Sequence, residues 1–177
     1  SRTQRRAIQM VFQDPYASLD PLMTIRQMLE ELLVVHRLAA TREARRQRCD
    51  ELMGLVQMPT GMLDVRPAGM SGGQRQRMAI ARALAVGPRL VVADEPTAAL
   101  DVSVQAGIIN LFADLREATG QSILFISHNL AVVRSLCDRV AVIYEGRIVE
   151  VADTASIFAN PRHDYTRQLL AAAPDLP

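Results

Sequence analysis

The sequence predicts an α/β fold in which a parallel sheet forms the core and a helical segment is inserted into it. Short stretches that are apolar throughout, such as 90–93 and 123–126, alternate with longer stretches whose apolar residues recur at helical spacing. Strands of this kind are typical of a parallel sheet that is buried on both faces. Residues 22–70 contain only helical and turn patterns. We therefore expect helices on both faces of the sheet and a helical insert at 22–70.

The amino-terminal part begins with a strand and continues into helices. Residues 7–12 are apolar enough for a buried strand, and prolines, serine and aspartate at 15–21 indicate a turn-rich loop. Residues 25–38 carry apolar side chains at helical spacing, and Thr41 is a typical cap for a second helix. Residues 58–69 contain two prolines and two glycines, which indicates a connector.

The later part alternates helices and strands. A helix is predicted from Ser71 to Val86, because a Gly-Pro pair follows it, and another between Asp101 as its cap and Gly120 as its end. The other predicted elements are a strand at 123–126, a helix at 130–137 and a hairpin of strands 140–144 and 148–151 around Glu145-Gly146. We expect four segments: a core strand and loop at 1–21, a helical subdomain at 22–70, the remaining core at 71–151 and a helical tail at 152–177.

The composition is that of a globular protein and gives no sign of nucleic-acid binding. The 177 residues are 49% hydrophobic and carry a net charge of +1. The longest stretch without a charged residue, 118–133, is too short and too polar to span a bilayer. Cys49 and Cys137 form neither a disulfide framework nor a metal-binding pattern, so two buried thiols in a reducing cytosol are expected.

Polar residues follow three of the apolar strands. Gln13 follows the first strand, Asp94 and Glu95 follow the strand at 90–93, and His128 follows the strand at 123–126. Ligands of open α/β sheets bind at the carboxyl ends of the strands, so these residues are expected to share one pocket. An aspartate there can hold Mg²⁺, and a neighbouring glutamate can orient or deprotonate a water molecule. His128 could then hydrogen-bond a terminal phosphate or that water.

A second candidate site lies at the start of the helix that Ser71 opens. Ser71 is followed by Gly72, Gly73 and Gln74, which leaves backbone N–H groups exposed at the positive end of the helix dipole. Such an arrangement can bind an anion. An ordinary helix cap would have the same residues, so spacing alone does not decide between the two interpretations.

Three motifs together resemble the nucleotide-binding subunit of ABC transporters: SGGQRQR at 71–77, LVVADEPTAALD at 90–101 and SHN at 127–129. The resemblance implies a P-loop NTPase-type, RecA-like core. It identifies Gln13 with the Q-loop, near both the metal and the reacting water, and residues 71–74 with the signature motif. Asp94 and Glu95 correspond to the Walker B pair. Asp101 belongs to the D-loop and is expected to help bind nucleotide, and His128 is the switch histidine.

The same resemblance implies ATP and Mg²⁺ as cofactors and a second ATPase subunit as partner. It also implies permease subunits that hold the protein peripherally at the cytoplasmic face of the membrane, with no nucleic acid involved. Residues 11–21 and 160–170 are similar to the importers of oligopeptides, dipeptides and nickel, and we expect a peptide importer. Met70 stands where the family usually has Leu or Phe, and Asn129 stands where it usually has Asp.

Two features limit this expectation. The 177 residues contain no lysine, and no glycine precedes Gly54, so the family's phosphate loop is missing and we expect an incomplete domain that is inactive by itself.

Alternatives are an importer for nickel or another small solute, a non-catalytic regulatory subunit, and an ABC ATPase that acts on ribosomes or nucleic acids. The last is disfavoured, because residues 14–70 leave no room for a long coiled coil and residues 98–101 read Ala-Ala-Leu-Asp where ribosome-acting relatives typically have Asn-His-Leu-Asp.

Overall fold

The computed structural model describes residues 6–173 and divides the chain into two compact units, with the boundary after Ile126. Within the described residues, no helix is both long enough and apolar enough to cross a membrane. The first unit contains strands β1 (Ile8–Val11), β2 (Leu90–Asp94) and β3 (Ser122–Ile126), and helices α1 (Ile25–Val35), α2 (Arg42–Leu55), α3 (Gly72–Leu84) and α4 (Val102–Thr119).

The core of the first unit is a parallel sheet in the order β1-β2-β3. Val11 pairs with Ala93, which in turn pairs with Phe125, so the carboxyl ends of the three strands lie at one edge. Each crossover between neighbouring strands contains at least one helix, as parallel pairing requires. The parallel α/β core expected from the apolar strands is therefore confirmed.

The expectation that helices cover both faces of this sheet is wrong for the described residues. On one face Val11, Val91 and Ala93 are buried, and Phe112 of α4 meets Phe125 of β3 edge to face with ring centres 5.5 Å apart. The opposite face remains exposed, although most of its side chains are apolar. Its exposed members are Ile8, Met10, Leu124 and Ile126. Apolar strands predict burial on both sides, but the helices of the described chain supply only one layer.

Within the predicted insert, residues 22–70, the structure has helices and turns and no strand. Thr24 and Gln27 form a reciprocal capping box that begins α1, and the Thr41 hydroxyl accepts the backbone N–H of Ala44 to begin α2, as predicted. The connector forms two short 3₁₀ turns, Thr60–Asp64 and Pro67–Gly69. The first turn is tied to α1 by a two-pronged ion pair between Arg26 and Asp64, with a shortest N–O distance of 2.8 Å. This pair raises the pKa of Arg26 and lowers that of Asp64.

Helices α3 and α4 end close to their predicted positions. Helix α3 ends at Leu84, two residues before the predicted end, and the chain turns at Gly87 with a φ of +63°. Helix α4 ends where Gly120 adopts the left-handed conformation, which glycine reaches without steric cost. Cys49 is fully buried in α2, and this burial raises the pKa of its thiol to about 11. Cys137 is only half-buried, so the expectation of two buried thiols is wrong for this residue.

The second unit consists of a hairpin and short helices. Its elements are α5 (Leu130–Leu136), β4 (Arg139–Tyr144), β5 (Arg147–Asp153), α6 (Thr154–Ala159) and α7 (Asp164–Ala171). The predicted turn at Glu145-Gly146 joins β4 and β5, and both of its residues have positive φ angles. Glu150 of β5 accepts the backbone N–H groups of Arg162 and His163 at 2.8 and 3.0 Å, which fixes the turn before α7.

Candidate functional site

The carboxyl edge of the sheet holds three of the predicted site residues. Asp94 is the last residue of β2, Glu95 follows it directly, and Gln13 lies two residues beyond the end of β1. Because β1 and β2 are adjacent and parallel, these residues project from the same edge. Gln13 is exposed, whereas Asp94 and Glu95 are half-buried. The edge therefore offers two carboxylates and one amide to a ligand that approaches it.

Glu95 has an unusual backbone conformation. Its φ is +44°, in the left-handed region that residues other than glycine seldom occupy, and its N–H donates to the carbonyl of Ile126 at 3.0 Å. The chain then turns sharply, since Ala98 N–H donates to the Glu95 carbonyl at 3.1 Å. Strained backbone of this kind persists where the surrounding structure enforces it and is common at functional sites. The bond to β3 fixes the position at which the Glu95 side chain leaves the sheet.

The turn after Glu95 is held by a side chain of α4. The Gln105 amide donates to the carbonyls of Thr97 and Leu100, each at 3.0 Å. Asp101 then occupies the position that begins α4, as predicted, but its side chain makes no capping hydrogen bond within the described chain. The expectation that the Asp101 side chain caps α4 is therefore not met, and its carboxylate accepts no backbone N–H of that helix.

Helix α3 begins with a complete capping box. The Ser71 hydroxyl accepts the backbone N–H of Gln74 at 3.3 Å, and the Gln74 side chain accepts the N–H of Ser71 at 2.9 Å. The N–H groups of Gly72 and Gly73 belong to the first turn, where no helical carbonyl can accept them. The cap is thus an ordinary one in its bonding, and it also leaves two backbone donors at the positive end of α3.

Close packing explains why glycines follow Ser71. A Cβ atom on Gly73 would lie 2.4 Å from a methyl carbon of Val104 in α4, and one on Gly72 would lie 3.4 Å from Leu100. The first of these distances is far below any van der Waals contact. The start of α3 therefore sits directly against the turn that precedes α4 and against the first turn of that helix. Two sequence motifs that are distant in the chain meet here.

His128 lies in the second unit, in the short turn that leads into α5, and its side chain is exposed. The next residue, Asn129, caps α5 by accepting the N–H groups of Ala131 and Val132 at 3.1 and 3.3 Å. Asparagine caps helices about as well as aspartate does. The departure from the family pattern at Asn129 therefore leaves the local structure of the His128 turn intact. Met70, the other departure, is 5% exposed and fills a core position.

Sequence reasoning missed three side chains of α3 that hold the site together. Arg77 donates to the carbonyls of Val56 and Gly107 at 2.8 and 3.2 Å, so it joins the end of α2 to α4, and burial lowers its pKa. Arg75 and Gln76 contact the loop around Gln13. Gln76 could have been noticed, because it stands on the apolar stripe of α3 and is completely buried. The partners of the two arginines left no trace in the sequence.

The polar groups at these positions suit a nucleoside triphosphate and its metal ion. Carboxylate and amide oxygens, which Asp94, Glu95 and Gln13 supply, are the ligands Mg²⁺ prefers, and that ion usually takes its remaining ligands from phosphate and water. Among the described residues no cluster of three or more His, Cys, Asp or Glu side chains forms a self-sufficient metal site. Backbone N–H groups at a helix start bind phosphate oxygens well. The edge of the sheet therefore fits a metal ion that phosphate and water help to coordinate, and the start of α3 fits phosphate itself.

Comparison with known proteins agrees with this architecture. The sequence pattern of the family described as ABC transporter matches residues 1–98. The fold is similar to that of cbiO1 from Clostridium perfringens, part of the ABC transporter complex cbiONQ, with a TM-score of 0.81 and 27% identity over 98% of this chain and 66% of that one. It is also similar to the ATP-binding cassette MJ0796, solved as a post-hydrolysis dimer with ADP and Pi, with a TM-score of 0.73 and 33% identity over 86% and 66%.

The chain belongs to the ABC transporter family. Among curated proteins it is 47% identical to the oligopeptide transport ATP-binding protein OppF of Bacillus subtilis. That alignment covers 96% of this chain and 55% of OppF, so the chain spans about half the length of this relative. The P-loop NTPase core expected from the motifs is confirmed by the two structural neighbours.

Proposed function

We propose that the full-length protein containing this chain hydrolyses ATP to power the import of peptides through a membrane permease. The observation that carries the proposal is the carboxyl edge of the sheet, where Asp94, Glu95 and Gln13 project together and the backbone of Glu95 is held in a strained conformation. The similarity to an oligopeptide transport protein supports peptides as the solute.

Each site residue receives a separate role. Asp94 and Gln13 hold Mg²⁺, which neutralises phosphate charge when bound. Glu95 accepts the proton of the attacking water, and its fixed backbone aims the carboxylate at that water. His128 donates a hydrogen bond to the terminal phosphate or to the water, the role that the family resemblance implies.

Residues 71–74 and Asp101 act towards the partner subunit. We propose that two ATPase subunits form a dimer at the cytoplasmic face of the membrane, with ATP between the start of α3 in one subunit and the phosphate loop of the other. Two features support this arrangement: the backbone N–H groups in the first turn of α3 have no helical acceptor, and the Asp101 carboxylate does not cap α4. In this proposal residues 22–70 form a helical subdomain of each subunit.

The replacement Glu95→Gln in the full-length subunit tests the proposed reaction. It keeps the shape of the side chain and removes the base, so phosphate release should fall by about 10²–10⁴-fold while ATP still binds. The variant should then accumulate as an ATP-bound dimer in size-exclusion chromatography. Glu117→Gln, an exposed position on α4, is the matched control and should hydrolyse ATP at the parental rate. A Glu95→Gln protein with parental turnover would remove Glu95 from its role.

A further inference from the structure

The loop that carries Gln13 is gripped by two consecutive residues of α3. The buried amide of Gln76 donates to the Phe12 carbonyl at 3.3 Å, immediately before Gln13. The guanidinium of Arg75 lies over the ring of Tyr16, 4.3 Å from its centre, shortly after Gln13. Gln13 is exposed and stands between these two attachments. We refer to Phe12, Tyr16, Arg75 and Gln76 as the Gln13 clamp.

The clamp is rigid on both sides. On the loop side, the Asp14 carboxylate accepts the N–H of Tyr16 at 2.9 Å, and the Ser18 hydroxyl donates to the Pro15 carbonyl at 2.9 Å, so the turn that carries Tyr16 is internally bonded. On the helix side, the Arg75 guanidinium donates to the carbonyls of Pro67 and Met70. Tyr16 and Arg75 are therefore each held by further hydrogen bonds within their own segments.

Stability alone does not account for Gln76. Its side chain is completely buried, yet its Oε1 atom has no hydrogen-bond partner among the described residues. A buried polar atom without a partner destabilises a fold, whereas an apolar side chain of similar volume would fill the same space without that cost. The Gln76 amide instead donates to the Phe12 carbonyl, at 3.3 Å. Its presence is better explained by what it holds, the Phe12 carbonyl beside Gln13.

We infer that Arg75 and Gln76 are positioning residues that couple the start of α3 to Gln13. The inference rests on the proposed function, because it assumes that Gln13 acts on the metal and the water. The first turn of α3 receives nucleotide from the partner subunit, and the clamp then sets Gln13 for hydrolysis in its own subunit. One helix thereby links the two nucleotide sites of the dimer.

The test uses Gln76→Met in the full-length ATPase assembled with its permease. Methionine has a similar volume and lacks the amide, so the stability should be equal or higher, and KM for ATP should stay within about twofold. A misplacement of about 1 Å can reduce a rate about 10²-fold, so kcat should fall by about 10- to 100-fold. Gln47→Met, at an exposed position of α2, is the control and should keep the parental kcat. Unchanged kcat in a stable Gln76→Met protein would overturn the inference.

A double-mutant cycle tests the second arm of the clamp. Tyr16→Leu and Arg75→Met should each lower kcat, and the double variant should be no worse than the more impaired single variant, because both remove the same contact. Tyr16→Phe keeps the ring and should retain the parental rate, and Arg82→Met is the control on the same helix. Additive losses would refute coupling through this pair. Hydrolysis that survives Gln13→Ala would instead show that the proposed role of Gln13 is wrong.

Discussion

Replacement of Gly73 by alanine tests whether α3 packs as closely against α4 as the structure requires. The added Cβ would lie 2.4 Å from the nearer methyl carbon of Val104, whereas ordinary carbon contacts are about 3.5–4.0 Å. Val104 is only half-buried, so it can move, but the strain of overpacking is still about 1–3 kcal/mol. Alanine recovers up to about 1 kcal/mol through helix propensity. We expect a net loss of about 1–2 kcal/mol.

Urea unfolding of the chain without nucleotide measures this loss apart from any ligand. With a denaturant slope of about 2 kcal/mol per molar, the midpoint should fall by about 0.5–1 M. Gly54→Ala is the matched control, because nothing lies within 4 Å of the new Cβ, and its midpoint should stay the same or rise slightly.

Val104→Ala in the Gly73→Ala background should restore part of the lost stability, since it removes the methyl group that clashes. The double variant should therefore be more stable than the sum of the two single losses predicts. A Gly73→Ala protein as stable as the parent, or strictly additive losses in the cycle, would refute the packing argument. Gly73 would then be explained by ligand binding alone.

Three further predictions concern charge, thiol chemistry and nucleotide binding. The Thr166 hydroxyl and the N–H groups of Arg162 and His163 lower the pKa of Glu150 from 4.5 to about 2. The ionised form of Glu150 therefore stabilises the second unit above pH 4.5, and this contribution is lost as the pH falls towards 2. Glu150→Gln should flatten that part of an acid-unfolding curve, and an unchanged curve would contradict the assignment. Cys49, with a pKa of about 11, should react with a thiol reagent at pH 8 only as fast as the protein unfolds, measured by mass spectrometry; prompt labelling would disprove its burial. The 177-residue chain alone, which contains no lysine, should bind Mg-ATP weakly in calorimetry, and tight 1:1 binding would rule this out.

Local signals in the sequence were sufficient for the elements and for part of the site. Thr41 and Ser71 predicted helix starts and Gly120 a helix end, because a cap depends on hydrogen bonds within a few residues of itself. The apolar strands placed Asp94 and Glu95 at a strand end, since parallel strands present their carboxyl-terminal residues at one edge of the sheet.

Tertiary structure decided which of these elements meet and which surfaces are covered. The same apolar pattern predicted helices on both faces of the sheet, yet the described helices cover one face and leave Ile8 and Leu124 exposed. The position of Gly73 against Val104 and the grip of Gln76 on Phe12 join residues far apart in the chain. Periodicity and capping report only on a residue's own element, whereas such contacts depend on how whole elements pack. The sequence by itself therefore determined which residues stand at the edge of the sheet, and packing determined which contacts hold them in place.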